Sequence, residues 1–221
     1  MHNRRNTARP VGCNCGSGTF KKRGTMEPKT IITGEAESRI CPGAFEIRAG
    51  ARGRPVIHGH AAVFNSLSQD LGGFREKIAP GAFADSLDDN ANDPVALFNH
   101  NPDHLLGRKS AGTLRLHEDG RGLHFAFDPP DTQIGQDLPK LIRRGDINKM
   151  SFGFRVNPGD QVWEEQPDGS TVRTLKRVRL LDVSPVTSAA YQNTNVAVRE
   201  HRYWCDHYRE TARLRQQLDK L

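Results

Sequence analysis

The stretch that decides the fold is residues 112–127, which read GTLRLHEDGRGLHFAF. Apolar and polar side chains alternate through residues 112–117 and again through residues 122–127, a period of two that is typical of strands with one buried face. The four residues between these runs, EDGR at 118–121, are polar and include a glycine, as a tight turn requires. The stretch therefore predicts a β-hairpin.

Further strand patterns flank this hairpin on both sides. They are VIHGHAAVF at 56–64, FREKI at 74–78, VALF at 95–98, MSFGFRV at 150–156, and a second hairpin that turns at PDGS, 167–170, with a return strand that continues to LLDVS at 180–184. Together the patterns give a count of about six strands, which is typical of a barrel-like β domain.

Two helices are expected among the strands. A short helix is expected to begin at Pro80, since proline is tolerated in a first helical turn. Asp131 or Thr132 caps a longer one, whose end is marked by Arg143-Arg144-Gly145. Its apolar positions recur at helical spacing and are Ile134, Leu138, Leu141 and Ile142. The interpretation is a mixed, β-rich α+β fold with few helices.

The composition indicates that the middle of the chain forms the hydrophobic core. Only 35% of the 221 residues are hydrophobic, 26% are charged, and the mean hydropathy is -0.67. Residues 1–53 show no sustained period and are expected to form a disordered basic arm. Residues 54–199 are expected to form the folded domain, and residues 200–221 an amphipathic helix for docking or pairing. No run is apolar enough for a membrane span or a signal peptide, so we expect a soluble intracellular protein.

Cysteine and histidine spacings give no metal or cofactor site. Cys13, Cys15, Cys41 and Cys205 lie in the parts that look least like core, and we interpret them as free thiols. His58 and His60 share a strand face, and His117 and His124 can face each other across the hairpin, but no acidic or sulfur ligand accompanies them. Phosphate-binding glycine loops and His-Glu-x-x-His are absent from the sequence. We therefore expect no cofactor and no metal.

Ser151 and His100 are the candidate reacting groups. Alternation through residues 150–156 places Ser151 and Gly153 on the strand face opposite Phe152 and Phe154. His100 follows the buried run at 95–98 in a turn-like break, where a side chain can be exposed. Ser151 is not in the Gly-x-Ser-x-Gly elbow of an α/β-hydrolase, because position 149 is lysine. These residues alone fit either a structural or a catalytic role.

Seven phrases in order resemble the prohead, or capsid maturation, serine proteases of tailed phages, which are similar in fold to the herpesvirus assemblins. The phrases are GHAAVF at 59–64, EKIAPGAF at 76–83, VALFNH at 95–100, GR at 107–108, GTLRL at 112–116, MSFGF at 150–154 and LDVSPVT at 181–187. The resemblance covers about residues 55–199. It implies an assemblin-like, mostly antiparallel β-barrel surrounded by a few helices.

The resemblance also implies a catalytic set. The histidine after the asparagine becomes the base, His100, and the serine of MSFGF becomes the nucleophile, Ser151. Phage relatives carry an acidic residue where this chain has Asp182, which makes Asp182 the third member. A structural role fits Asp182 equally well, as a carboxylate at a strand end that pairs with Arg179 or Arg199. By resemblance, residues 187–190 are a candidate source of an oxyanion donor.

The implied function is a serine endopeptidase that cleaves the scaffold segment of the phage major capsid protein, and itself, during prohead maturation. The expected partners are that capsid protein and its scaffold segment, the portal, and other copies of the chain. The expected place of action is the assembling prohead in the host cytoplasm. Two alternatives are a catalytically inactive prohead component and a basic β-barrel that binds nucleic acid. The net charge is +6, and the basic residues are spread along the chain. No basic strand face carries interleaved aromatic residues, so no membrane or specific nucleic-acid partner is expected.

Overall fold

The structure is a computed structural model that describes residues 34–41, 45–50 and 53–187. Its strands are β1 (Ala36–Cys41), β2 (Phe45–Ala49), β3 (Pro55–Val63), β4 (Arg75–Ile78), β5 (Val95–Phe98), β6 (Asn101–Arg108), β7 (Leu114–Glu118), β8 (Gly122–Phe127), β9 (Lys149–Arg155), β10 (Gln161–Glu165), β11 (Thr171–Leu175) and β12 (Arg179–Val186). Its helices are α1 (Ala84–Asp88) and α2 (Gln133–Arg144), and a short 3-10 turn spans Pro158–Asp160. The predicted C-terminal helix and most of the predicted N-terminal arm lie outside the described residues.

The hairpin predicted at residues 112–127 is confirmed as β7 and β8. Leu114 pairs with Phe127 and Glu118 pairs with Leu123 in an antiparallel ladder. This hairpin forms one side of a four-stranded sheet in the order β2-β3-β8-β7. Its alternate side chains Leu123, Phe125 and Phe127 are fully buried in the main core, so the period of two sets which face is inside.

A five-stranded sheet in the order β1-β9-β12-β5-β6 carries the candidate site. Strand β9 lies in its interior, antiparallel to β1 on one side and to β12 on the other. Phe152 and Phe154 of β9 point into the core, and each is at most 1% exposed. Strand β12 runs parallel to β5, which brings the end of β5 to the end of β12. A third sheet has the order β10-β11-β4.

Helix α2 begins and ends where its sequence signals indicate. The Thr132 side chain accepts a hydrogen bond from the Gly135 N–H as the N-cap. Gly145 ends the helix in the left-handed region, at φ 83°, a conformation that costs glycine little. Helix α1 is short and begins after Phe83, three residues beyond Pro80.

Four details of the fold differ from the expectations. First, β1 and β2 lie inside the stretch expected to be an unstructured arm, because tertiary pairing with β9 and β3 supplies the order that their weak local pattern lacks. Second, the described strands form three separate sheets rather than a closed barrel, since β1 and β6 remain edges of their sheet and closure would need them paired. Third, the return strand of the second hairpin ends at Leu175, and β12 begins anew at Arg179.

Fourth, Cys41 is buried at the end of β1, although its neighbourhood looked unlike core in sequence. It is a free thiol, as expected, and burial raises its pKa. The other three cysteines lie outside the described residues. Over the described chain, no helix is long and apolar enough to cross a membrane.

A buried ionic network joins β1 to β4 and β11. Arg173 is 0% exposed, and its guanidinium donates to Glu37 at 2.8 and 2.9 Å and to Glu76 at 2.9 Å. Arg39 donates to the same two carboxylates at 2.6 and 2.8 Å. Burial alone would raise the pKa of Glu37, but the two arginines outweigh it and hold that pKa below its usual value. The network therefore ties the edge strand β1, which pairs with β9, to the three-stranded sheet.

We expect Arg173→Ala to lower the free energy of unfolding by about 3–5 kcal/mol, because it leaves two buried carboxylates with one arginine between them. Urea denaturation followed by circular dichroism measures this change. The matched control is Arg115→Ala, which removes a half-exposed bidentate pair with Asp128 and is expected to cost at most about 1 kcal/mol. Equal losses in the two variants would contradict the role given to the buried network.

Candidate active site

The structure brings the three predicted site residues into one hydrogen-bonded row. His100 Nε2 lies 2.6 Å from Ser151 Oγ, and His100 Nδ1 lies 2.6 Å from Asp182 Oδ1. His100 and Ser151 are 51 positions apart in sequence, and His100 and Asp182 are 82 apart. Segments that are distant in sequence therefore meet at the imidazole ring of His100.

Ser151 belongs to the interior strand β9, and its neighbour on β12 is also polar, while its neighbour on β1 is Ile40. Ser151 lies opposite Ser184 of β12, while Gly153 lies opposite Asp182. Directly opposed residues in an antiparallel pair share a face, so all four lie on the side of the sheet away from Phe152 and Phe154. Ser151 itself is 1% exposed.

His100 lies in the two-residue turn between β5 and β6. Phe98 pairs with Asn101, and the two residues between them have φ values of 54° for Asn99 and 56° for His100. Two successive residues with positive φ are the requirement of a type I′ hairpin turn, whose twist matches that of the flanking strands. This turn projects the imidazole from the end of β5, next to the end of β12.

Asp182 follows a local irregularity in β12 and is held by more than His100. The register of β12 against β9 shifts between Leu180 and Asp182, as a bulge does when it re-aims a side chain. The Ser184 hydroxyl, which is fully buried, donates to Asp182 Oδ1 at 2.6 Å. The bonds of Asp182 thus run to His100 and Ser184, and the alternative pairing with Arg179 is not formed. Arg199 lies outside the described residues.

The arrangement fixes which way protons can move. A carboxylate can only accept hydrogen bonds, so the bond to Asp182 requires that His100 Nδ1 carries the hydrogen. His100 Nε2 then has a free lone pair that faces the Ser151 hydroxyl. A row of this kind can take the proton from the serine as it attacks an electrophilic carbon, and can stabilise the resulting imidazolium.

Gly153 makes room for Asp182. A Cβ built at this glycine would lie 2.2 Å from Asp182 Oδ2, far inside contact distance. Glycine within a strand often marks such a close approach. Because Oδ1 of the same carboxylate is held by His100 and Ser184, the carboxylate cannot swing aside without losing those bonds.

We expect Gly153→Ala to slow the reaction of Ser151 with a fluorophosphonate probe about 10²- to 10⁴-fold, with a much smaller effect on stability, because the added methyl displaces the group that orients the histidine. Labelling rates and a thermal melt measure the two effects. Gly159→Ala is the control, since a Cβ there meets nothing within 4 Å. Wild-type activity in Gly153→Ala would show that the position of Asp182 does not matter.

His58, His60, His117 and His124 form a separate cluster on the outer face of the four-stranded sheet. His117 and His124 face each other with ring centroids 4.6 Å apart, and His60 Nε2 donates to Asp119 Oδ2 at 2.8 Å. Burial lowers the pKa of His124. Within residues 34–41, 45–50 and 53–187, no group of three histidine, cysteine, aspartate or glutamate side chains is arranged to hold a metal ion.

The predicted oxyanion segment is described only at its first residue. The Thr187 N–H donates to Asn99 Oδ1 at 2.9 Å. This donor is therefore already paired with a residue of the turn that carries His100. Residues 188–190 lie outside the described part of the chain. Sequence reasoning did not single out Ser184 or the packing role of Gly153, although the period of two from Asp182 and Ser151 could have placed both on the site's face.

Comparison with known proteins gives a family and a similar solved structure. The family model described as caudovirus prohead serine protease matches residues 35–207. The structure of the bacteriophage T4 capsid assembly protease, gp21, is similar with a TM-score of 0.46 and 12% sequence identity, covering 70% of this chain and 99% of that chain. No curated protein sequence matches the chain.

The family match begins at the residue before β1 and spans every described strand. It confirms the resemblance drawn from the seven sequence phrases, and it favours a protease over the two alternatives of an inactive prohead component and a nucleic-acid-binding barrel. The chain belongs to the caudovirus prohead serine protease family, and it is a serine protease of phage capsid maturation.

Proposed function

We propose that Ser151, His100 and Asp182 are the nucleophile, the base and the orienting acid of this protease. The observation that supports the proposal is the His100 ring, which lies 2.6 Å from each of the other two side chains. Within the described residues, Ser151 is on an interior strand and His100 is at a strand end, so the rigid sheet and a tight turn hold the pair.

The reaction proceeds through an acyl-enzyme. Ser151 Oγ attacks the carbonyl carbon of the scissile peptide while His100 Nε2 takes the hydroxyl proton. His100 then gives that proton to the departing amine nitrogen as the carbon–nitrogen bond breaks. A water molecule gives a proton to His100 as its oxygen attacks the acyl carbon. His100 returns that proton to Ser151 Oγ as the carbon–Oγ bond breaks, which releases the new carboxyl end and restores Ser151. Asp182 keeps the imidazole oriented and stabilises its positive charge throughout.

The proposed substrates are the scaffold segment of the phage major capsid protein and the protease chain itself, and the portal is a further proposed partner. The proposed place of action is the assembling prohead in the host cytoplasm. These assignments rest on membership of the prohead protease family. The geometry of the site supports the catalytic chemistry, and the choice of substrate rests on the family alone.

The experiment is co-expression of the chain with the major capsid protein of the same phage, followed by intact-mass measurement of both. We expect a shortened capsid protein whose new end maps inside its scaffold segment. The chain itself is expected to shorten only when Ser151 is present. A capsid protein that keeps its full mass beside an active, labelled protease would contradict the substrate proposal while leaving the catalytic residues in place.

A further inference from the structure

We propose that Asn99 is a positioning residue that clasps the His100 turn onto the end of β12 and so holds the imidazole between Ser151 and Asp182. This inference rests on the proposed function of His100. It concerns a residue whose side chain bonds to Thr187 and to none of the three triad side chains.

The first step of the argument is the conformation of the turn. Asn99 and His100 both have positive φ, at 54° and 56°. For a residue with a Cβ, the left-handed region costs about 1–2 kcal/mol, and asparagine tolerates it best among them. The left-handed region is less favourable for histidine than for asparagine, so contacts outside the turn must keep His100 in that conformation.

The second step is that Asn99 supplies those contacts. Its backbone N–H donates to the Pro185 carbonyl at 3.0 Å, and its Oδ1 accepts from the Thr187 N–H at 2.9 Å. The Thr187 hydroxyl approaches the same Oδ1 at 3.4 Å. Asn99 therefore contacts the residues on either side of Val186, the last residue of β12.

The third step is that β12 also carries Asp182. Clasping the turn to residues 185 and 187 fixes His100 relative to the strand that holds its orienting carboxylate, three to five positions earlier. Without the side-chain bonds of Asn99, the turn is held by the β5–β6 pairing, by the Asn99 N–H bond to Pro185 and by the two bonds of the His100 ring. A shift of about 1 Å in a catalytic group can cost about 10²-fold in rate.

The test compares Asn99→Gly, Asn99→Asp and wild type, using a fluorophosphonate probe that labels the activated serine and needs no known cleavage site. Asn99→Gly keeps the backbone free to adopt positive φ but loses the acceptor. We expect its labelling rate to fall at least about tenfold, with an unchanged melting temperature. Asn99→Asp keeps an oxygen acceptor and is expected to stay within about threefold of wild type.

The matched control is Asn65→Gly. Asn65 is also an asparagine with positive φ, 56°, in a turn after β3, and it takes no part in the His100 row. Its variant is expected to label at the wild-type rate. The second readout is the downfield proton resonance of the short His100 Nδ1–Asp182 bond, which is expected to persist in Asn65→Gly and to broaden or shift in Asn99→Gly.

Three outcomes decide the matter. Slow labelling and a changed resonance in folded Asn99→Gly, with rescue in Asn99→Asp, would support the clasp. Wild-type labelling and resonance in Asn99→Gly would overturn it, and so would a loss of labelling matched by loss of folded protein. If wild-type protein labels at a serine other than Ser151, the proposed triad fails instead, and the two failures are thereby distinguished.

Discussion

Ser151→Ala is expected to abolish cleavage of a co-expressed capsid protein while leaving the protein folded. The substitution removes one hydroxyl from a buried strand position, and the only bond it breaks to His100 is the one that the reaction uses. Loss of a nucleophile of this kind costs about 10⁴- to 10⁶-fold in rate. The measurement is the mass of the capsid protein after co-expression, with a thermal melt of the purified variant.

Ser170→Ala is the control for that variant, because it deletes the same atom from an exposed turn between β10 and β11. It is expected to process capsid protein normally. Normal trimming by Ser151→Ala would remove Ser151 from the mechanism, whatever its distance from His100.

His100→Ala is expected to be about as damaging as Ser151→Ala. The members of a catalytic row act as a unit, so the double variant should be no slower than either single one, with residual activity about 10⁴- to 10⁶-fold below wild type. Initial cleavage rates of the three variants measure this non-additivity.

His104→Ala is the matched control for the base. His104 lies in β6, is exposed, and has its ring 6.2 Å from that of Phe98, on the strand that leaves the His100 turn. It is expected to retain wild-type activity. Activity that survived in His100→Ala and disappeared in His104→Ala or His60→Ala would mean that a different histidine is the base.

Much of the strand content could be predicted from sequence because the local pattern agrees with the final packing. The alternation in residues 112–127 and 150–156 sets a buried face, and a slip by one residue would expose every aromatic in it. The caps of α2 are equally local, since Thr132 and Gly145 act on their own helix ends. Where a signal depends only on neighbouring residues, it predicts the element well.

The rest depends on contacts distant in sequence. Strands β1 and β2 have weak patterns, and β1 is fixed by pairing with β9 and by buried bonds from Arg39 to Glu76 and from Arg173 to Glu37. Strand β6 contains Pro102 and pairs irregularly with β5, so its sequence does not read as a strand. Whether sheets close into a barrel is likewise set by which edges meet, which no single strand pattern encodes.

The same division applies to the site. His100 and Ser151 could be placed at a strand end and on a polar strand face, but their separation could not, because it depends on how β5, β9 and β12 lie side by side. The family resemblance selected the pair from nine histidines and many serines. Ser184 acts on Asp182 within β12, whereas Gly153 acts across the β9–β12 ladder and the proposed role of Asn99 joins the His100 turn to the end of β12, so the latter two depend on how distant segments pair.

Fluorophosphonate labelling of the full chain, with the adduct mapped by mass spectrometry, tests the central claim most directly. The predicted result is a single adduct on Ser151 that is lost in His100→Ala and strongly slowed in Asp182→Asn, whose amide cannot hold the imidazole in the same tautomer. An adduct on another serine, or labelling at Ser151 that proceeds at the wild-type rate without His100, would contradict the account.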